Sequence, residues 1–196
     1  IQFGHQASFM SDQTPRPKTK SIVGEYVLKN YAKADHYVGL HFYKYDKHIF
    51  PPVIKDTIVQ SKPLDQGHIT VYLPSYDSHC LRKHFLEMKE LNFQWFTHDV
   101  RNSSKEKNIT YHPIDNHAFT QSLIHCQGII TGGGFETPAE ALYLGKKLMC
   151  IPIRSHYEQN CNAAALKKLG VTVLPDINTY IWTDQVRKWI DRPALD

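Results

Sequence analysis

Apolar and polar positions along the 196-residue chain change rhythm several times, and from Gly67 the change becomes regular. "HITVYLP", from His68, is an apolar, β-branched run of strand length. "SHCLRKHFLEMKEL" follows it and puts Leu81, Phe85, Met88 and Leu91 on one helical face. The exchange then repeats. "NFQWFTHD" reads as a strand, "VRNSSKEKN" as a polar loop, "ITYHPI" as a strand, and "DNHAFTQSLIHC" as a helix capped by Asp115 or Asn116. "GIITGG" predicts a strand, "TPAEALYLG" a helix and "LMCIPI" a strand. "YEQNCNAAALKKLG" predicts a helix whose Lys167, Lys168 and Gly170 suit a C-terminus. "VTVLP" and "TDQVRKWID" predict a last strand and a last helix. Strands alternating with helices of this length imply βαβ units and a parallel sheet covered on both faces. The short apolar runs "GIIT" and "MCIPI" fit its buried central strands.

The first thirty-five residues follow another pattern. They read as a strand remnant, a Pro- and Lys-rich loop ("DQTPRPKTK") and a helix ("SIVGEYVLKNYAKA"). "HYVGLHFYKY" is then strand-like, and "FPPV" interrupts it. The opening "IQFGHQASF" resembles a strand end, a polar turn and a new element, without an initiator Met, as in a chain entered partway through. The expected division is a remnant with its link over residues 1–35 and a doubly wound α/β domain over 36–196.

Composition adds mostly exclusions. Apolar residues make up 41% of the chain and charged ones 21%, which supports a packed core. The formal net charge is +4, with no block of five like charges and no basic stripe, so no nucleic-acid partner is expected. No apolar run approaches the roughly 18 residues that span a bilayer, and the start lacks the regions of a signal peptide. Cys80, Cys126, Cys150 and Cys161 show no C-x-x-C spacing and read as inert thiols of a reducing compartment. Twelve histidines include no H-E-x-x-H, and His79 and His84 are five apart, off a common helix face, so no metal site is expected.

The stretch "TGGGFETPAEAL", Thr131 to Leu142, carries the chemistry. Gly132, Gly133 and Gly134 fall between a strand and a helix, on the edge of the sheet where ligands collect. Glycines let backbone amides approach a phosphate, and the positive helix end favours an anion. The pattern is neither G-x-G-x-x-G nor a Walker A loop. Thr137, Pro138 and Glu140 also spell a capping box, with Thr at the N-cap, Pro at N1 and Glu at N3. A purely structural helix start and an anion cradle are equally compatible with these residues taken alone. Glu158, Gln159 and Asn162, at the next strand-to-helix loop, add a carboxylate and two amides suited to sugar hydroxyls.

Together, "GGGFETPAEALYLGKKLMCIPIRSHYEQNCNAAALKKLG" resembles the donor-binding signature of GT-B glycosyltransferases. The similarity is greatest to the group around the peptidoglycan lipid-intermediate N-acetylglucosamine transferase and the macrolide and plant UDP-glycosyltransferases. It covers about forty residues closely and Gly67 to Ile190 more faintly. The resemblance implies a Rossmann-like C-terminal half of a GT-B fold, with residues 1–35 ending a missing N-terminal, acceptor-binding domain. It implies transfer of a sugar from a nucleotide-diphosphate donor, UDP-linked, to an unknown acceptor hydroxyl, with no metal and no cofactor beyond the donor. Gly133, Gly134, Phe135 and Thr137 would contact the diphosphate, and Glu140 the ribose. Glu158 and Gln159 would hold the sugar, Ile114 would meet the base through its backbone, and Ser75 would lie near the phosphates. The catalytic base belongs to the missing half, and His5 is the candidate this chain offers. The fragment is expected to bind donor without transferring it. The whole protein is expected in the cytoplasm, with peripheral association at the inner face of the membrane. A UDP-N-acetylglucosamine 2-epimerase and the donor subunit of a two-chain transferase are the alternatives.

Overall fold

The computed structural model describes residues 1–31, 33–177 and 181–194. A small parallel sheet comes first: β1 (Gln2–Gly4), β2 (Tyr37–Leu40) and β3 (Ile49–Phe50), in the order β1-β2-β3. Between β1 and β2 lie a 3-10 turn at Gln6–Met10 and helix α1 (Ile22–Asn30), started by Ser21, whose hydroxyl accepts from the Gly24 amide. The expected boundary between residues 35 and 36 falls inside this sheet, because β2 hydrogen-bonds to β1. The two sheets share no strand, and the chain passes from one to the other between Phe50 and His68, where helix α2 (Asp56–Val59) lies. The long strand expected at His36–Tyr45 shortens to four residues.

The second sheet holds seven strands: β4 (His68–Tyr72), β5 (Asn92–Phe96), β6 (Ser104–Glu106), β7 (Ile109–His112), β8 (Gly128–Thr131), β9 (Lys147–Cys150) and β10 (Thr172–Val173). Their order is β10-β9-β8-β4-β5-β7-β6, parallel except for β6. Setting aside β6, the chain winds outward one way from β4 and the other way from β8, which is the doubly wound arrangement with its reversal between those two strands. Edge strand β6 sits where only a polar loop was expected. "SKE" has no apolar alternation, and it pairs because Lys107, at φ +52°, turns the chain back onto β7.

Helices α3 (Ser78–Glu87), α4 (Asn116–His125), α5 (Glu136–Tyr143), α6 (Tyr157–Lys168) and α7 (Trp182–Ile190) cover the sheet. Asp77 caps α3, and Asp115, one of the two expected caps, caps α4. Leu81, Phe85 and Met88 point inward as their spacing predicts, against Phe93, Trp95 and Trp182. The opposite face packs Leu123, Ile124, Leu144 and Leu166 on Ile129 and Leu148, and Ile58 of α2 joins that layer. Helix α2 is therefore anchored on the larger sheet.

Candidate active site

The reversal between β4 and β8 opens a crevice at the carboxyl ends of the strands. All four residues of β8 are buried, so the chain can loosen only past Thr131, at the glycines. The peptide of Gly133 is held from both sides by α6. Its N–H donates to Gln159 Oε1 at 3.2 Å, and its carbonyl accepts from Asn162 Nδ2 at 3.0 Å. A Cβ on Gly133 would lie 2.6 Å from the Gln159 carbonyl oxygen, so no side chain fits there. Gln159 Oε1 also accepts the Ile153 amide at 3.1 Å. In this structure Gln159 and Asn162 thus fasten the glycine loop, and the Gly133 amide is occupied by the protein itself.

Gly134 is the opposite case. It is exposed, and a Cβ there would meet nothing within 4 Å. Beside it α5 begins without a side-chain cap. The expected capping box does not form. The helix starts at Glu136 with Phe135 in the N-cap place, two residues ahead of Thr137. Phe135 lies flat on the His5 imidazole, 3.9 Å between ring centres and 8° apart, and this long-range stack holds the residue at helix-like angles. Thr137 then falls inside the first turn and faces the crevice. Glu140 does not reach back to the helix start. It is 3% exposed, and its Oε1 pairs with Lys55 Nζ at 3.0 Å. Burial pushes the Glu140 carboxyl up, and Lys55 draws it part of the way down.

A pocket of about 130 Å³ lies at this point, between Ser75 on the β4 side and Gly132, Gly134, Thr137 and Gln159 on the β8 side. The Tyr76 hydroxyl pins the Ser75 loop by donating to the carbonyls of Pro152 at 2.9 Å and Ile151 at 3.2 Å. A wider, open pocket of about 540 Å³ adjoins it, bordered by His5, Gln6, Gly134, Phe135, Glu136 and Glu158. Ile114 stands apart, 37% exposed beyond the end of β7, three strands from β8.

His5 is deeply set. Its Nδ1 lies 3.2 Å from the Leu40 carbonyl, which can only accept, so Nδ1 carries the proton. Nε2 is 3.7 Å from Glu158 Oε1. Burial lowers the His5 pKa, while Leu40, Glu158 and Asn162 oppose that drop. Behind it His41, fully buried, falls to about 3, through burial first and the neighbouring His5 and Arg16 charges next.

Sequence reasoning brought Ser75, Gly134, Phe135, Thr137, Glu158 and Gln159 to one place. It missed Lys55, 85 positions before Glu140, for which no local pattern exists, and it missed Tyr76. Among the described residues no group of three His, Cys, Asp or Glu could hold a metal ion, and no helix is long and apolar enough to cross a membrane. The four cysteines form no disulfide. Burial raises Cys150 to about 12 and Cys161 to about 11.

Residues 8–192 match the family model for glycosyl transferase family 1. Among solved structures, the chain is similar to the spinosyn forosaminyltransferase SpnP, with TM-score 0.53 and 16% identity, over 95% of this chain and 58% of that one. The glycotransferase of kitacinnamycin gives TM-score 0.53 and 18% identity over 74% of this chain and 40% of that one. The glycosyltransferase SnogD from Streptomyces nogalater gives 0.51 and 19% over 87% and 44%. At these identities the likeness concerns the fold, a GT-B fold, of which this chain spans about half the length. A search of curated proteins returned no significant relative.

Proposed function

This chain belongs to glycosyl transferase family 1, and from that premise we propose that it supplies the donor half of a sugar-transfer site for a nucleotide diphosphate, UDP, carrying a hexose. The observation that carries the reading is the open Gly134 beside the uncapped start of α5, where the strand order reverses. Unsatisfied helix-start amides and the positive end of the helix dipole are what a diphosphate needs. The Ser75 and Thr137 side chains border the same space. As the bond from the sugar to the diphosphate breaks, charge grows on the leaving oxygen. Amides already aimed there stabilise it without a metal ion.

The ribose would meet Glu140, and with it Lys55. The carboxylate is already held in place, so the diol binds beside or instead of the ammonium on Oε1. Ile114 offers its backbone to the base, and the wider pocket takes the sugar next to Glu158 and Gln159. The Gln159 Oε1 is spent on the loop, which leaves its amide Nε2 as the group for a sugar hydroxyl. The free edge of β1, where Phe3 is 68% exposed, and the apolar outer face of α1 support a further domain carrying the acceptor site. On this reading the chain alone binds UDP and transfers nothing.

Isothermal titration with UDP is the test. The wild type should bind, and Glu140→Ala should bind roughly 10- to 100-fold more weakly, the loss of hydrogen bonds to a charged group. Absence of UDP binding by the wild type removes the reading.

A further inference from the structure

Glu140 is a buried carboxyl whose ion partner comes from outside its own helix. Lys55, at the N-cap of α2, brings Nζ to 3.0 Å from Oε1. Such a pair is a poor way to fasten one helix to another. Two charges lose their hydration on burial, and well-packed apolar side chains of similar volume often hold as well or better. The contact between α2 and α5 does not need it, because Ile58 already shares an apolar layer with Ala141.

The segment between the two sheets is fixed so that Lys55 arrives at this point. The Leu64 and Gln66 amides donate to the carbonyls of Ile124 and His125, at 3.3 and 2.9 Å. The buried Lys146 ammonium donates to the carbonyls of Leu64 and Cys126, at 2.7 and 2.8 Å. On α5, Glu140 stands three residues after Thr137, on the same helix face and one turn deeper than the pocket that Thr137 borders. Few charges reach it. Burial pushes the carboxyl up, Lys55 opposes that rise, and Glu136, one turn earlier, adds to it. Strand β8 carries no charged side chain, Lys147 of β9 donates to the Ile190 carbonyl, and Asp56 beside Lys55 is exposed. Lys55 is therefore the cation that favours an ionised Glu140. The charge matters for a diol, since an ionised carboxylate accepts at both oxygens, whereas a protonated one turns an oxygen into a donor.

We propose that Lys55 is a positioning residue of the donor site, holding Glu140 as an anion turned to accept the ribose hydroxyls of the nucleotide. The inference rests on the donor-site reading above, which brings the ribose to Glu140. The ammonium stays on Oε1 and the diol binds beside it. The segment between the sheets thereby takes part in donor recognition through Glu140, without touching the phosphates.

Calorimetric titration of this chain at pH 5.5, 6.5 and 8 tests the proposal, with UDP and 2′,3′-dideoxy-UDP as probes. Lys55→Met should bind UDP roughly tenfold more weakly than the wild type at pH 5.5, the effect of moving the Glu140 pKa up by about one unit. The gap should close toward pH 8, where the carboxyl ionises in both. Lys55→Arg should restore wild-type binding, a rescue that a merely packed side chain would not show. Lys55→Gln, run alongside, should behave as Lys55→Met, so unfolding of one variant leaves the test in place. In a Glu140→Gln background, Lys55→Met should have no further effect, and the dideoxy probe should not distinguish Lys55→Met from the wild type. A loss that is equal at every pH, or that persists with the dideoxy probe, makes Lys55 a direct phosphate contact and overturns the proposal. Unchanged UDP binding in Lys55→Met overturns it as well, and leaves the donor site standing. Absence of UDP binding in the wild type would instead remove the reading beneath it.

Discussion

The two strand-to-helix loops at the crevice are neighbours in space and opposites in construction. The loop entering α6 closes on itself. His156 accepts the Gln159 amide, and Asn160 Nδ2 reaches the carbonyls of Arg154 and His156, at 3.0 and 2.9 Å. The loop entering α5 has no such cap. It is held from outside, by Gln159 and Asn162 on Gly133 and by His5 against Phe135. A helix start that spends its own side chains on its own amides has fewer of those amides left for an anion. One that is clamped by neighbours keeps its amides free and still rigid, which is the condition for binding an anion without reorganisation.

The sharpest way to break this contrast is at the glycines. Gly133→Ala forces a Cβ into the backbone of α6 and should destabilise the protein by about 1–3 kcal/mol or more, seen as a lower urea midpoint. Gly134→Ala should leave that midpoint nearly in place, within about 0.5 kcal/mol, while weakening UDP binding. Equal stability losses at the two positions would mean that the clamp is not what distinguishes them.

The clamp's outer half can be loosened by acid. His41, beneath His5, titrates in the unfolded chain near the ordinary histidine value and in the folded protein only at about 3. A lowered folded pKa means stability that is complete above pH 6.5 and is lost as the pH falls from 6.5 toward 3. The slope approaches about 1.4 kcal/mol per pH unit for the single proton. His5, lowered as well, adds to it. Denaturant unfolding at pH 7, 6 and 5 should show this slope, and His41→Leu should reduce it. Unfolding free energies independent of pH across that range would contradict the burial of these rings.

The smallest effects separate a real cap from an apparent one. His156→Ala removes a cap and should cost roughly 0.5–1 kcal/mol, measured by thermal or urea unfolding. Thr137→Ala removes none, because α5 already begins at Glu136. It should change stability by less than about 0.5 kcal/mol and show itself in weaker UDP binding. A larger stability loss from Thr137→Ala than from His156→Ala would restore the capping-box reading.

Much of this molecule is legible in its residues taken in order, and the parts that are not have physical causes. The larger sheet follows from local alternation: short apolar runs that can be satisfied only as buried strands, and helices with one apolar face to cover them. The caps Asp77 and Asp115 lie within three residues of the amides they serve, so proximity along the chain reveals them. The edge strand β6 was hidden because an edge needs no apolar alternation. The small sheet crosses the expected boundary at residues 35 and 36, because its pairing joins residues 2–4 to 37–39, and no local pattern encodes a partner 35 positions away.

The site divides along the same line. Glycines between a buried strand and a helix, with polar residues at the next loop, are a local arrangement, and they were enough to mark the crevice for which the diphosphate is proposed. What each side chain does there was decided by distance in space. Glu140 became a partner of Lys55, Gln159 and Asn162 became holders of Gly133, and Thr137 lost its cap to a stack between Phe135 and His5. A chain specifies which groups can accept, donate or carry charge. Only the folded packing brings a carbonyl to Nδ1 of His5 or an ammonium to Glu140, and so determines which of those groups remain free for a ligand.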